Sequence, residues 1–141
     1  MSRVFVDTAV FARVADDERP RERDAAAAFL SDPSRSLVTN ALVLGQLYSA
    51  LVPRNARGAR AKRLAEAGRR AVESIRPLAT IDVTAGQIAL ALVLVSERQM
   101  QLWDAVNWAS AISGGCAEYA SFDAPGLPHQ IRSVRFVNPL G

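Results

Sequence analysis

Residues 102–123, LWDAVNWASAISGGCAEYASFD, hold the reading of this chain. Leu102 to Ser113 is apolar or small at nearly every position and reads as a helix, stopped by Gly114–Gly115. EYASF (118–122) then reads as a strand that ends at Asp123. Helix, glycine stop, strand and acid follow one another with no linker. The stretch looks like core, yet carboxylates stand at its borders: Asp104 near the head and Asp123 at the tail. An acid near a helix N-terminus or at a loop start is ordinary, so the borders alone do not make a site.

Working outward, the same alternation continues. RVFV (3–6) is a β-branched and aromatic run ending at Asp7, so a strand, and VFARVA (10–15) a short helix. Pro20 suits a first helical position, and PRERDAAAAFL continues from it. DPSRS (32–36) is turn chemistry, SLVT (36–39) a second strand, and Asn40 a cap for the helix NALVLGQLYSALV (40–52), ended by Pro53. Residues 57–75 are rich in helix formers. LATIDV (78–83) is a third strand. Thr84 and Gln87 fit a capping box for a helix through about Arg98, and VRFVN (134–138) is the last strand. Strands alternating with helices predict an α/β fold, a mostly parallel central sheet between helical layers, in one domain over residues 1–141.

Composition bounds the rest. At 141 residues, half of them apolar and 22% charged, the chain suits one globular domain with a real core. Its longest relevant apolar run, Ile88 to Val95, falls far below the ~18–20 residues of a membrane span, and the N-terminus lacks a signal-peptide pattern. Cys116 is the one cysteine, which excludes an internal disulfide and a zinc cluster and reads as a small core residue. A cytoplasmic protein is expected. The net charge is +3, but residues 54–76 alone carry eight basic and two acidic side chains, or +6, leaving −3 for the remainder. This block, with Arg54, Arg57, Arg60, Lys62 and Arg63, reads either as a grip for an anionic partner or as a solvated helix face.

In a parallel sheet, ligands bind beyond the carboxyl ends of the strands, where strand order reverses. Asp7 and Asp123 each follow a strand, and Asp104 sits in the first turn of a helix. Converging carboxylates with no nearby His or Cys suit a hard divalent cation such as Mg²⁺ or Mn²⁺. Their mutual repulsion is otherwise uncompensated.

Five stretches together resemble the PIN domain family and, within it, the VapC-like toxins. VFVDTAVF is similar to that family's opening strand and D-T-N/S-V turn; LVTNALVLGQLYSAL to its second strand and following helix; LWDAVNWASAISGGCAEY to W-D-A-L-I-x-A-A-A-L-x-x-G-C; ASFD to its strand end T/S-x-D; and VRFVNP to its closing strand. The resemblance implies Asp7, Asp104 and Asp123 as ligands of Mg²⁺ or Mn²⁺ and as the catalytic set of a ribonuclease, with Thr8 and Ser121 as hydrogen-bonding supports. It further implies an antitoxin partner and a homodimer. The basic block then has three open uses: an RNA grip, part of an antitoxin groove, or a helical arm.

Two departures stand out. The family's second acid falls on Gln46, and the Asn or Ser after D-T falls on Ala9. Gln46 removes a negative charge and cannot act as a base, though its carbonyl is able to accept from a metal-bound water. A related subfamily has Glu where this chain has Phe122. Weaker binding of a single metal is therefore expected. The alternative is a degenerate PIN domain that binds RNA or protein without turnover. Asp82 reads as turn chemistry, and Glu118 as lying at the opposite end of the sheet. Trp103, Trp108 and Tyr48 read as packing residues, and His129 as exposed.

Overall fold

The computed structural model describes residues 2–75, 78–122 and 128–141. Its elements in chain order are β1 (Ser2–Val6), α1 (Thr8–Arg13), α2 (Pro20–Ser31), β2 (Arg35–Asn40), α3 (Ala41–Leu51), α4 (Gly58–Ile75), β3 (Ala79–Ile81), α5 (Ala85–Arg98), α6 (Leu102–Ser113), β4 (Glu118–Ala120), β5 (Gln130–Ile131) and β6 (Val134–Val137). The six strands form one sheet in the order β3-β2-β1-β4-β6-β5. Every pairing is parallel except the β5–β6 hairpin. From β1 the chain builds outward through β2 and β3, then returns to place β4 on the other side of β1. Strand order therefore reverses between β1 and β4.

Val4, Phe5 and Val6 in β1 are all fully buried. Successive strand residues point to opposite faces, so both faces of the sheet are covered by helices, as a parallel sheet requires. This is the three-layer α/β/α arrangement that the alternating pattern predicts. α6 is buried at every position from Ala105 to Ala111. Trp108 stacks on Tyr119 of β4, with ring centroids 4.2 Å apart and planes 3° from parallel, and Phe5 of β1 also stacks with Tyr119, at 5.3 Å. Trp103, near the start of α6, is 48% exposed.

The glycine pair after α6 serves two separate needs. A Cβ at Gly114 would come within 2.3 Å of the Ile81 side chain, whereas Gly115 has φ +68°, a left-handed backbone. Asn40 caps α3 by accepting from the Val43 N–H, and Thr84 caps α5 by accepting from the Gln87 N–H. The capping box is only half realised. Gln87 turns its side chain inward and accepts from Ser110 on α6.

The edges of the sheet differ from expectation. β3 covers only Ala79–Ile81 of the predicted 78–83, and β4 stops at Ala120 rather than Phe122. β5 was not foreseen. Its turn to β6 uses Arg132 at φ 53°, without the glycine or asparagine that usually marks such a turn. Among the described residues, no helix is long and apolar enough to cross a membrane.

Candidate metal and phosphate site

Asp7 follows β1 directly and caps α1, its Oδ1 accepting from the Thr8 N–H at 2.7 Å. Its Oδ2 accepts from the Ser121 hydroxyl at 3.0 Å, from the residue that follows β4. The carboxylate thus stands at the crossing between the carboxyl ends of β1 and β4, where the strand order reverses. The Tyr119 hydroxyl, fully buried beneath, reaches the same carboxylate. Asp104, in the first turn of α6, lines the same cavity as Asp7. That cavity has a volume of about 390 Å³ and is also lined by Thr8, Ala9, Arg13 and Gln46.

Electrostatics mark the site. Burial pushes the Asp7 carboxyl above its ordinary range; Ser121 and the Thr8 N–H pull against this, and the charge of Asp104 pushes further upward. Burial also raises Asp104. Burial, then the charges of Asp7 and Asp104, holds the Tyr119 phenol well above its usual value, so it remains a protonated donor. No salt bridge engages either acid among the described residues. Arg13 lines the cavity, but its guanidinium is taken by Glu22 and Asp16 and lies over the Phe122 ring. Two oxygen-rich acids without a protein cation fit a hard divalent ion such as Mg²⁺ or Mn²⁺. Among the described residues the acids that meet here are these two, and no group of three or more ligating side chains forms. Asp123 lies outside the described residues, adjacent in sequence to Phe122.

Gln46, on α3, lines the cavity. Its carbonyl Oε1 accepts from the Thr8 hydroxyl at 2.9 Å and from Asn107 Nδ2 at 3.2 Å. Both lone pairs are occupied, so the carbonyl is not free for a metal-bound water, contrary to the sequence-based expectation. Ala9 lines the cavity with a methyl group and brings no polar atom to it.

Sequence reasoning did not anticipate Asn107. It is buried on α6 and joins Gln46, Asp7 (3.5 Å) and Asn40 (3.1 Å). The signal was present: Asn107 lies three residues after Asp104, on the same helical face, and is a lone amide in an apolar helix. Glu118 lies at the start of β4, away from the cavity, where Arg35 and Arg135 engage it. Asp82 is exposed between β3 and α5 and does not line the cavity. Arg54, Arg57, Arg60, Lys62 and Arg63 are all exposed, and none is in an ion pair among the described residues.

The fold and site define a class: an α/β domain that presents carboxylates at the switch point of a parallel sheet. Within that class the chain belongs to the PIN domain family, whose profile matches residues 4–124. Among solved structures it is similar to Mycobacterium tuberculosis VapC20, a Sarcin-Ricin loop cleaving toxin, at 27% identity and a TM-score of 0.65, over 94% of this chain and 98% of that one. The VapBC-5 structure from the same organism is similar at 18% identity and a TM-score of 0.61, covering 98% and 99% of the two chains. FitAB bound to a DNA fragment gives 14% identity and a TM-score of 0.69, over 98% and 96%. The last two likenesses concern the fold alone. No curated protein sequence matches the chain at a significant level.

Proposed function

We propose that this protein is a metal-dependent endoribonuclease and the toxin of a type II toxin–antitoxin pair. One observation carries the reading: Asp7 and Asp104 line one cavity at the switch point of the sheet, and no salt bridge engages either of them among the described residues. With Asp123, they form the proposed catalytic and metal-binding set. A bound Mg²⁺ or Mn²⁺ supplies Lewis acidity toward a phosphodiester and an acidified water. The chain's own residues prepare the place. Ser121 and the Thr8 N–H hold the Asp7 carboxylate in one orientation, and Tyr119 supports it from below. Arg54, Arg57, Arg60, Lys62 and Arg63 are available to RNA phosphates or to an acidic segment of an antitoxin. A homodimer is part of the reading. Exposed Leu92 and Val93 on α5 and Trp103 on α6 offer apolar surface for it.

The likeness to a Sarcin-Ricin loop cleaving toxin supports structured RNA as the substrate class. The VapBC and FitAB complexes among the structural relatives support an antitoxin partner. Gln46 favours a second reading, a PIN domain that binds without turnover. Cleavage of RNA by the purified chain in Mn²⁺ or Mg²⁺, with Asp7→Ala beside it, separates the two. Cleavage abolished by Asp7→Ala is expected. Absence of cleavage in wild type, with activity restored by Gln46→Glu, would establish the second reading instead.

A further inference from the structure

Gln46 occupies the cavity wall where relatives carry an acid, and its orientation is not free. A backbone N–H is a donor and nothing else, and that of Val43 donates to Asn40 Oδ1 at 2.9 Å. The other end of the Asn40 amide must then be Nδ2, which donates to Ser110 Oγ at 2.8 Å and to Asn107 Oδ1 at 3.1 Å. Ser110, receiving from Asn40, spends its own proton on Gln87 Oε1 at 2.8 Å. The Asn107 amide is thereby fixed, with Nδ2 toward Gln46 Oε1 at 3.2 Å. Thr8 fills the second lone pair of that oxygen. What remains of Gln46 is Nε2, which has no partner among the described residues.

Reversing Gln46 would set its NH₂ against the NH₂ of Asn107. Turning Asn107 to relieve this would set its NH₂ against that of Asn40 and its oxygen toward Asp7. Turning Asn40 would strip the cap from α3. Each correction moves the conflict one residue further until it reaches main chain, and unpaired buried polar groups cost about 1–3 kcal/mol each in general. The donor end therefore belongs to the cavity side.

We infer that Gln46 is a substrate-binding residue whose Nε2–H₂ donates to a non-bridging phosphate oxygen of bound RNA. A carboxamide donor accepts an anionic oxygen without adding another negative charge beside Asp7 and Asp104. The same donor cannot ligate a cation, so metal binding and phosphate binding fall on different walls of one cavity. The identity of the phosphate rests on the ribonuclease reading given above. A hydrogen bond to a charged group contributes roughly ten- to hundredfold in affinity.

The test uses the full chain and two variants. Gln46→Met removes the donor, together with the acceptor of Thr8 and Asn107, and keeps the length and neutrality. Gln46→Glu keeps the acceptor that Thr8 and Asn107 require and replaces the donor by a charge. Binding of a fluorescein-labelled RNA stem-loop with a mixed-sequence loop is measured by anisotropy at low salt in EDTA, and Mn²⁺ binding by calorimetry without RNA. Met is expected to weaken RNA binding about tenfold and leave Mn²⁺ affinity as it is. Glu is expected to weaken RNA binding further and tighten Mn²⁺. RNA affinity unchanged in Gln46→Met would overturn the inference, as would a loss of Mn²⁺ affinity in Met that matches its loss for RNA. The ribonuclease reading fails separately. A wild type that binds RNA through Gln46 but cleaves none in Mn²⁺ leaves this inference standing, and a wild type that binds no RNA overturns both.

Discussion

Two carboxylates at opposite ends of the neighbouring strands β1 and β4 received opposite treatment. Glu118 opens β4 and is met by Arg135 at 3.1 Å and Arg35 at 3.7 Å. Asp7 follows β1 at the other end of the same ladder and is met by a hydroxyl, a backbone N–H, an amide and a phenol, all of them neutral. The chain has 17 lysines and arginines, so cations were not scarce. Arg13, which lines the cavity, is drawn off by Glu22 and Asp16. One end of the sheet is neutralised by protein, and the other is held in place by neutral groups. A permanently paired acid gives structure, whereas one held only by neutral donors keeps its charge available to an ion from solution.

The contrast is broken most severely by Asp7→Ala. RNA cleavage in Mn²⁺ should fall at least about a thousandfold, measured as initial rate, while Glu118→Gln should cleave at the wild-type rate. Next in size is Asn107→Leu, which removes the amide that links Asp7, Gln46 and Asn40. Urea unfolding should show a loss of about 2 kcal/mol, because buried polar partners on α3 and β2 lose a bond.

Asp7→Asn sharpens the comparison in the other direction. The folded state raises the Asp7 carboxyl, so it holds that proton more tightly than the unfolded chain does. This contribution to stability is complete below the unfolded pKa and is lost as pH rises through the raised folded value. As pH rises, the metal-free fold therefore carries the cost of burying this carboxylate. Asp7→Asn should melt higher than wild type in EDTA, with the gap closing as pH falls into the acid range. Mn²⁺ should raise the melting temperature of wild type and not of the variant. The smallest effect belongs to Glu118→Gln. Its partner Arg135 is largely exposed, and loss of the pairs should cost less than about 1 kcal/mol in urea and fade with added salt.

The parts of the fold legible in the sequence were those governed by local chemistry. Leu102–Ser113, the start of α2 at Pro20 and the caps at Asn40 and Thr84 all sit where the residues place them. The edge strands were less legible, because pairing sets their length rather than propensity. β3 reaches only as far as Val38 to Asn40 of β2 give it partners. β5 hid behind an arginine in a left-handed turn. In the site, Asp7 and Asp104 could be brought together by strand-end and helix-start logic, whereas Ser121 was legible only through the resemblance of ASFD to the family's T/S-x-D strand end. The amide chain could not. Its members lie 3 to 70 residues apart, and its direction depends on which end of each carboxamide meets the next.

The stack of Trp108 on Tyr119 has an optical consequence. Trp108 is fully buried, and the phenol it covers touches Asp7, while Trp103 stands in solvent beside Asp104. The two indoles should therefore emit at different wavelengths, the first blue and shielded from acrylamide, the second red and quenched by it. An ion arriving between Asp7 and Asp104 changes the field at the blue emitter through a single ring. In Trp103→Phe that emitter stands alone, and occupancy of the cavity becomes a colour and intensity signal native to the chain, with no label attached.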